Sequence, residues 1–265
     1  MALMSENGTA AFDQGNFEEF YIRWKEKQNL HLHDLITASR NGYSPSQSSS
    51  LPGLVDRVIS HYEDYYRVKS KCIKTDVFLI LSAPWKTALE DAFNWVGGWR
   101  PSTAFHLLYS KSGLQLEAKL SELMKGVDTG DLGDLSSAQL GRMDKLHRIT
   151  IQQEREISEK LAKRQERVAD QEMVELSHDV SELARNHHQS DNSDMDGAVD
   201  STLKHKEEDF QLVVQTADNL RLTTLKGVVD ILSPIQAIHF LIAAAELHLI
   251  IHDWGKVKEE RKTRS

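Results

Sequence analysis

Residues 233–255 read SPIQAIHFLIAAAELHLIIHDWG, and this stretch decides the fold class. Ser233 and Gln236 stand three apart and Pro234 occupies the first helical position. This spacing predicts a capped helix start, because the two side chains bond reciprocally to the orphan backbone N–H groups. Beyond the cap the helix is apolar nearly all round through Ile235, Ile238, Phe240, Leu241, Ile242, Leu247, Leu249 and Ile251. A helix without a polar face belongs inside a bundle.

Outward from this helix the same period holds. The chain has five prolines, at 45, 52, 84, 101 and 234, so nothing between Ser102 and Ser233 forbids long helices. Apolar residues recur at three- and four-residue steps without sustained alternation, which predicts an all-α, single-domain bundle of about seven or eight helices. The first helix is expected from Phe17, with Asn16 as N-cap and Phe17, Phe20, Tyr21, Trp24, Gln28, His31 and Leu35 on one face. A helix opened by Pro84 is expected to run to Gly97-Gly98, and shorter ones over Ser102 to Ser110 and Leu114 to Met124. The pair Ser136 and Gln139 predicts a second capping box, opening one long central helix that could reach Arg185. Its heptad register through Met143, Thr150, Glu154 and Ile157 is too polar for a dimer zipper, so it is read as packed along the bundle. The expected organisation is a disordered segment 1–16, a helical domain 17–255 with mobile loops near 42–53, 126–135 and 186–197, and a basic tail 256–265.

Composition narrows function. The 265 residues are 40% hydrophobic and 27% charged, with a formal net charge of −8 and a mean hydropathy of −0.47. The lone Cys72 excludes a disulfide framework and any multi-cysteine metal site. Uninterrupted apolar runs fall short of the ~20 residues of a membrane span, and no secretory leader is visible, so an intracellular compartment and no membrane association are expected. Phosphate loops, dinucleotide fingerprints, nucleophile elbows and HExxH motifs are all missing, which predicts a non-enzymatic protein.

Two histidine sets could hold a ligand. His187 and His188 with Asp191 and Asp194 lie in a polar stretch that reads as surface. His248 and His252 stand four apart on the closing helix, their Cβ atoms ~5–6 Å apart on one face. They could offer nitrogen to a transition ion or to heme iron, or be two buried histidines satisfied by hydrogen bonds.

Several segments in order resemble the plant Delay of Germination domain: Trp95-Val96-Gly97-Gly98-Trp99-Arg100-Pro101, Asp134 to Leu140, Ala217-Asp218-Asn219-Leu220-Arg221, Ile231 to Gln236, and Leu247 to Gly255. The sequence is similar, too, to the C-terminal domain of TGACG-binding bZIP factors. The resemblance implies a regulator of seed dormancy and abscisic-acid signalling that acts through partners in nucleus and cytoplasm. It implies heme as cofactor, with His248 and His252 as iron ligands, and a clade A type 2C protein phosphatase as partner. The phosphatase contact falls on Tyr21 and Trp24, where Arg23 replaces an acidic residue of the family pattern. Other relatives act in pollen aperture formation and salt response. A co-regulator working with bZIP factors is the alternative, and a homo-oligomer is left open. With only 16 mostly acidic or neutral residues ahead of the first helix, no basic groove-reading helix and no direct DNA binding are expected. Lys256, Lys258, Arg261, Lys262 and Arg264 against Glu259 and Glu260 give a basic tail suited to nuclear import or to solubility.

Overall fold

A computed structural model describes residues 14–41, 50–119, 130–185 and 193–264. The chain is all-α and folds as a single helical bundle. Its helices are α1 (Gln14–Asn41), α2 (Leu51–Thr75), α3 (Val77–Ser82), α4 (Ala88–Ala92), α5 (Thr103–Ala118), α6 (Ser137–Glu166), α7 (Gln171–Arg185), α8 (Ser193–Ile231) and α9 (Pro234–Thr263). Short 3-10 turns cover Leu132–Asp134 and Arg167–Ala169.

Both capping boxes form as the spacing requires: Ser136 with Gln139 opens α6, and Ser233 with Gln236 opens α9. The helix starts not marked by such a pair differ from expectation. α1 begins at Gln14, so Asn16 lies within the helix rather than capping it, and residues 1–13 of the expected N-terminal segment lie outside the described residues. The helix expected from Pro84 to Gly97 is replaced by a turn and the short α4, whose start is set by a third capping box, Thr87 with Glu90. One helix, α5, spans the expected break between Ser110 and Leu114 and ends at Ala118, and the remainder of the second expected helix, from residue 120 on, lies outside the described residues. The long central helix breaks at Arg167–Ala169, where Asp170 accepts the Met173 N–H at 3.1 Å and starts α7. α8 begins at Ser193, inside the expected loop 186–197, and α9 carries the basic residues to Thr263 as helix rather than tail. The loop centred on Ser44 to Ser49, and His187, His188 and Asp191, lie outside the described residues.

Apolar side chains gather at two ends of the bundle. One cluster joins Leu35, Leu51, Val58, Phe105, Leu108, Val228, Ile238 and Leu241. The other joins Phe17, Cys72, Ile73, Val77, Ile80, Val214 and Ala217. By length and composition α9 could cross a membrane; here its N-terminal half, Ala237 to Ala245, faces the core instead. α6 buries Met143, Thr150, Glu154 and Ile157 along one stripe against α8. The polarity that argued against a zipper is satisfied within the chain: Thr150 meets the Thr224 hydroxyl at 3.4 Å, and Glu154 accepts from Arg100 Nε at 2.7 Å and the Ser102 N–H at 2.5 Å.

Candidate functional site

Two of the segments that carry the family resemblance, Trp95 to Pro101 and Ala217 to Arg221, meet at a buried polar knot. Trp95-Val96-Gly97-Gly98 closes a two-residue turn, with Trp95 and Gly98 exchanging backbone hydrogen bonds at 2.7 and 3.2 Å. Val96 and Gly97 both take left-handed backbone, φ 48° and 74°. A β-branched residue is strained there, so the surroundings must hold it. Arg221, fully buried on α8, does so: its guanidinium donates to the carbonyls of Trp95, Val96 and Trp99 and to Asp218. Lys69, also fully buried, donates to the Gly97 carbonyl at 2.9 Å and to Asp218 at 2.8 Å. Gly98 is a glycine because a Cβ would sit 2.9 Å from the Arg221 guanidinium. Burial pulls the Lys69 ammonium down to about 8 against the opposing pull of Asp218. Sequence reading missed Lys69, Asp218 and Arg221 as a unit, and Glu154 as the buried partner of Arg100, since charges on helices read as solvated faces.

The paired histidines lie elsewhere, where α9 leaves the core and crosses α1 and α4. Gly255 permits the approach: a Cβ there would fall 2.1 Å from Thr87 Oγ1. Glu90 accepts from the Thr87 N–H at 2.7 Å and hydroxyl at 2.9 Å, completing the α4 cap, and meets His252 Nδ1 at 2.9 Å. The opposite ring nitrogen, Nε2, lies 2.7 Å from Lys25 Nζ on α1. A lysine donating to Nε2 and Nδ1–H donating to the carboxylate satisfies all three groups. Burial raises the Glu90 carboxyl, but the Thr87 N–H, His252 and the Thr87 hydroxyl outweigh it, and the group stays below its ordinary value. Burial and the Lys256 charge lower the Lys25 ammonium.

His248 is half-buried against an aromatic cluster. Its Nε2 is 3.3 Å from the Tyr21 hydroxyl and its ring centre 5.6 Å from that of Trp24. Phe17, Phe20, Tyr65 and Trp85 complete the cluster around Tyr21 and Trp24. Burial drives the His248 ring down to about 4, so it is neutral near pH 7, and drives the Tyr21 phenol far up. Tyr21 and Trp24 are 3% and 6% exposed, which corrects their reading as a partner surface: the aromatic stripe of α1 is core.

The structure brings His248 and His252 to one environment, as four-residue spacing requires, but the arrangement does not fit heme. Both nitrogens of His252 are engaged, by Glu90 and Lys25. His248 Nε2 faces the Tyr21 phenol among packed aromatic rings. No group of three or more His, Cys, Asp and Glu side chains able to hold a metal occurs among the described residues. Burial pushes the Cys72 thiol up to about 11, the setting of a packing cysteine rather than a nucleophile.

An all-helical bundle built around a buried polar knot defines the class of fold. The seed dormancy control family, DOG1, matches residues 31–110. Protein DOG1-like 3 of Arabidopsis thaliana is 30% identical over 249 residues, 91% of this chain and 84% of that protein. Protein DOG1-like 4 of the same plant is 30% identical over 239 residues, 90% of this chain and 91% of that protein. Transcription factor TGA2.3 of Oryza sativa subsp. japonica is 37% identical over 124 residues, 47% of this chain and 34% of that protein. The chain belongs to the DOG1 family.

Proposed function

We propose that this chain is a non-enzymatic plant regulatory protein of the seed-dormancy and abscisic-acid setting, working in nucleus and cytoplasm through protein partners. The observation that carries the reading is a stripe on α9. Leu247, Ile250, Trp254 and Val257, at steps of three, four and three, share one face and are 43, 39, 60 and 44% exposed. Lys258, Arg261 and Lys262 continue that face beyond Trp254 and Val257. Contiguous exposed apolar side chains flanked by charge mark interaction surfaces, and this spacing suits a helix laid along a partner's groove. A clade A type 2C protein phosphatase is the proposed partner, engaged by this stripe rather than by the buried Tyr21 and Trp24.

The likeness to TGA2.3 favours a second reading, a co-regulator joined to bZIP factors. Pull-down of the phosphatase and of a TGA-type bZIP factor by the purified chain tests both. Phosphatase capture weakened at least tenfold by the Trp254→Ala/Val257→Ala double substitution is expected. No phosphatase binding at micromolar concentration contradicts the first reading, and capture of the bZIP factor alone installs the second. Heme has no part in this reading, because the imidazoles that would ligate it are engaged.

A further inference from the structure

Between α1 and α2, buried polar atoms without partners are concentrated at three residues. His31 and His61 are 5% and 3% exposed, and neither His31 nitrogen nor His61 Nε2 meets a hydrogen-bond partner among the described residues. Gln28, three residues before His31 and so on the same face of α1, is 1% exposed. Its Nε2 donates to the Tyr62 hydroxyl at 2.8 Å, which leaves Oε1 without a partner among the described residues. Buried polar atoms in native proteins are nearly always satisfied, and an orphan is costly. Such a concentration in one inter-helix space calls for an occupant.

We infer that His31 and His61 form a binding site for a borderline-soft divalent transition ion such as Zn²⁺, with the Gln28 carboxamide oxygen as a further donor. The two ring centres are 4.8 Å apart and the planes cross at 61°. With metal–nitrogen bonds of ~2.0–2.1 Å and tetrahedral angles, two ligating imidazoles place their ring centres about 5 Å apart, so a small side-chain adjustment suffices. The His61 ring is already fixed in place: Trp24 stacks on it at 4.7 Å with planes 5° apart, and the Trp24 indole N–H donates to the His61 carbonyl. Asp34, one turn beyond His31, pairs with Arg57 at 3.5 Å and leaves both His31 nitrogens open to a metal. Burial keeps both rings neutral, the ligating form. Two imidazoles and an amide oxygen, without thiolate or carboxylate, make an exchangeable site rather than a structural one. The inference does not depend on the proposed function.

Zn²⁺ titration of the full chain by calorimetry tests it. One saturable equivalent is expected, weakened at least tenfold in His61→Phe, which keeps a ring on Trp24, and in His31→Phe, and unchanged in His248→Phe. Binding that never saturates, or that persists in His61→Phe, overturns the site. Should the variants unfold, ¹⁵N-histidine spectra of the unsubstituted chain decide: selective Zn²⁺ shifts of His31 and His61 support the site, and their absence leaves an ordered water as the occupant and overturns it.

Discussion

The knot around Arg221 and the histidine end of α9 are both buried and polar, yet they are built on opposite rules. In the knot, charged groups are bonded inside the protein: Lys69 and Arg221 share Asp218, and the remaining donors go to carbonyls of the strained turn and of Trp99. At the histidine end the buried groups are mostly neutral rings and phenols, and charge enters through the Lys25–His252–Glu90 relay. Buried ion pairs are costly to break, because removing one partner leaves the other charge uncompensated. Neutral rings pack well at pH 7 but respond to protons.

The largest expected effect lies in the knot. Arg221→Ala strands Asp218 and the carbonyls of Trp95, Val96 and Trp99, and should destabilise the fold by about 3–5 kcal/mol. Denaturant unfolding measures it, and a loss below about 1 kcal/mol would erase the contrast.

Acid should act on the other region. The His248 ring lies at about 4 in the fold against 6.5 ordinarily, and His61 likewise at about 4. Below pH 6.5 the unfolded chain binds protons that these folded rings refuse, so stability is complete above 6.5 and falls as pH drops toward 4. For His248 the loss reaches up to about 3 kcal/mol. Thermal midpoints between pH 7 and 4 should fall, and fall less in His248→Phe; parallel curves would sink the assignment.

Gly255→Ala should cost about 1–3 kcal/mol, because its Cβ meets Thr87 and pushes α9 from α4. The smallest effect is at the surface. Arg23 pairs with Glu19 at 3.5 Å with both side chains about two-thirds exposed, and Arg23→Ala should change stability by less than about 0.5 kcal/mol.

Much of this was legible beforehand because caps and helical period are local signals. Ser136-Gln139 and Ser233-Gln236 announced α6 and α9, and the stripe Phe17, Tyr21, Trp24, Gln28 announced the buried face of α1. Thr87 with Glu90 carries the same signal and went unread, which is why α4 was merged into a longer helix. Asp170 before Met173 is likewise a cap that marks the break after α6. The knot was not legible, since its partners are 149 and 122 residues apart and a charge on a helix gives no hint of burial. The histidine pair was legible as a face but not as an engaged one, because Glu90 and Lys25 lie 162 and 227 residues away.

Hemin titration followed by absorbance, with the His248→Ala/His252→Ala variant alongside, tests the claim that these rings serve the α1–α4–α9 contact rather than iron. The account predicts no saturable Soret shift at one equivalent and a lower unfolding midpoint for the variant. A red-shifted band saturating near one equivalent, lost in the variant, would contradict it.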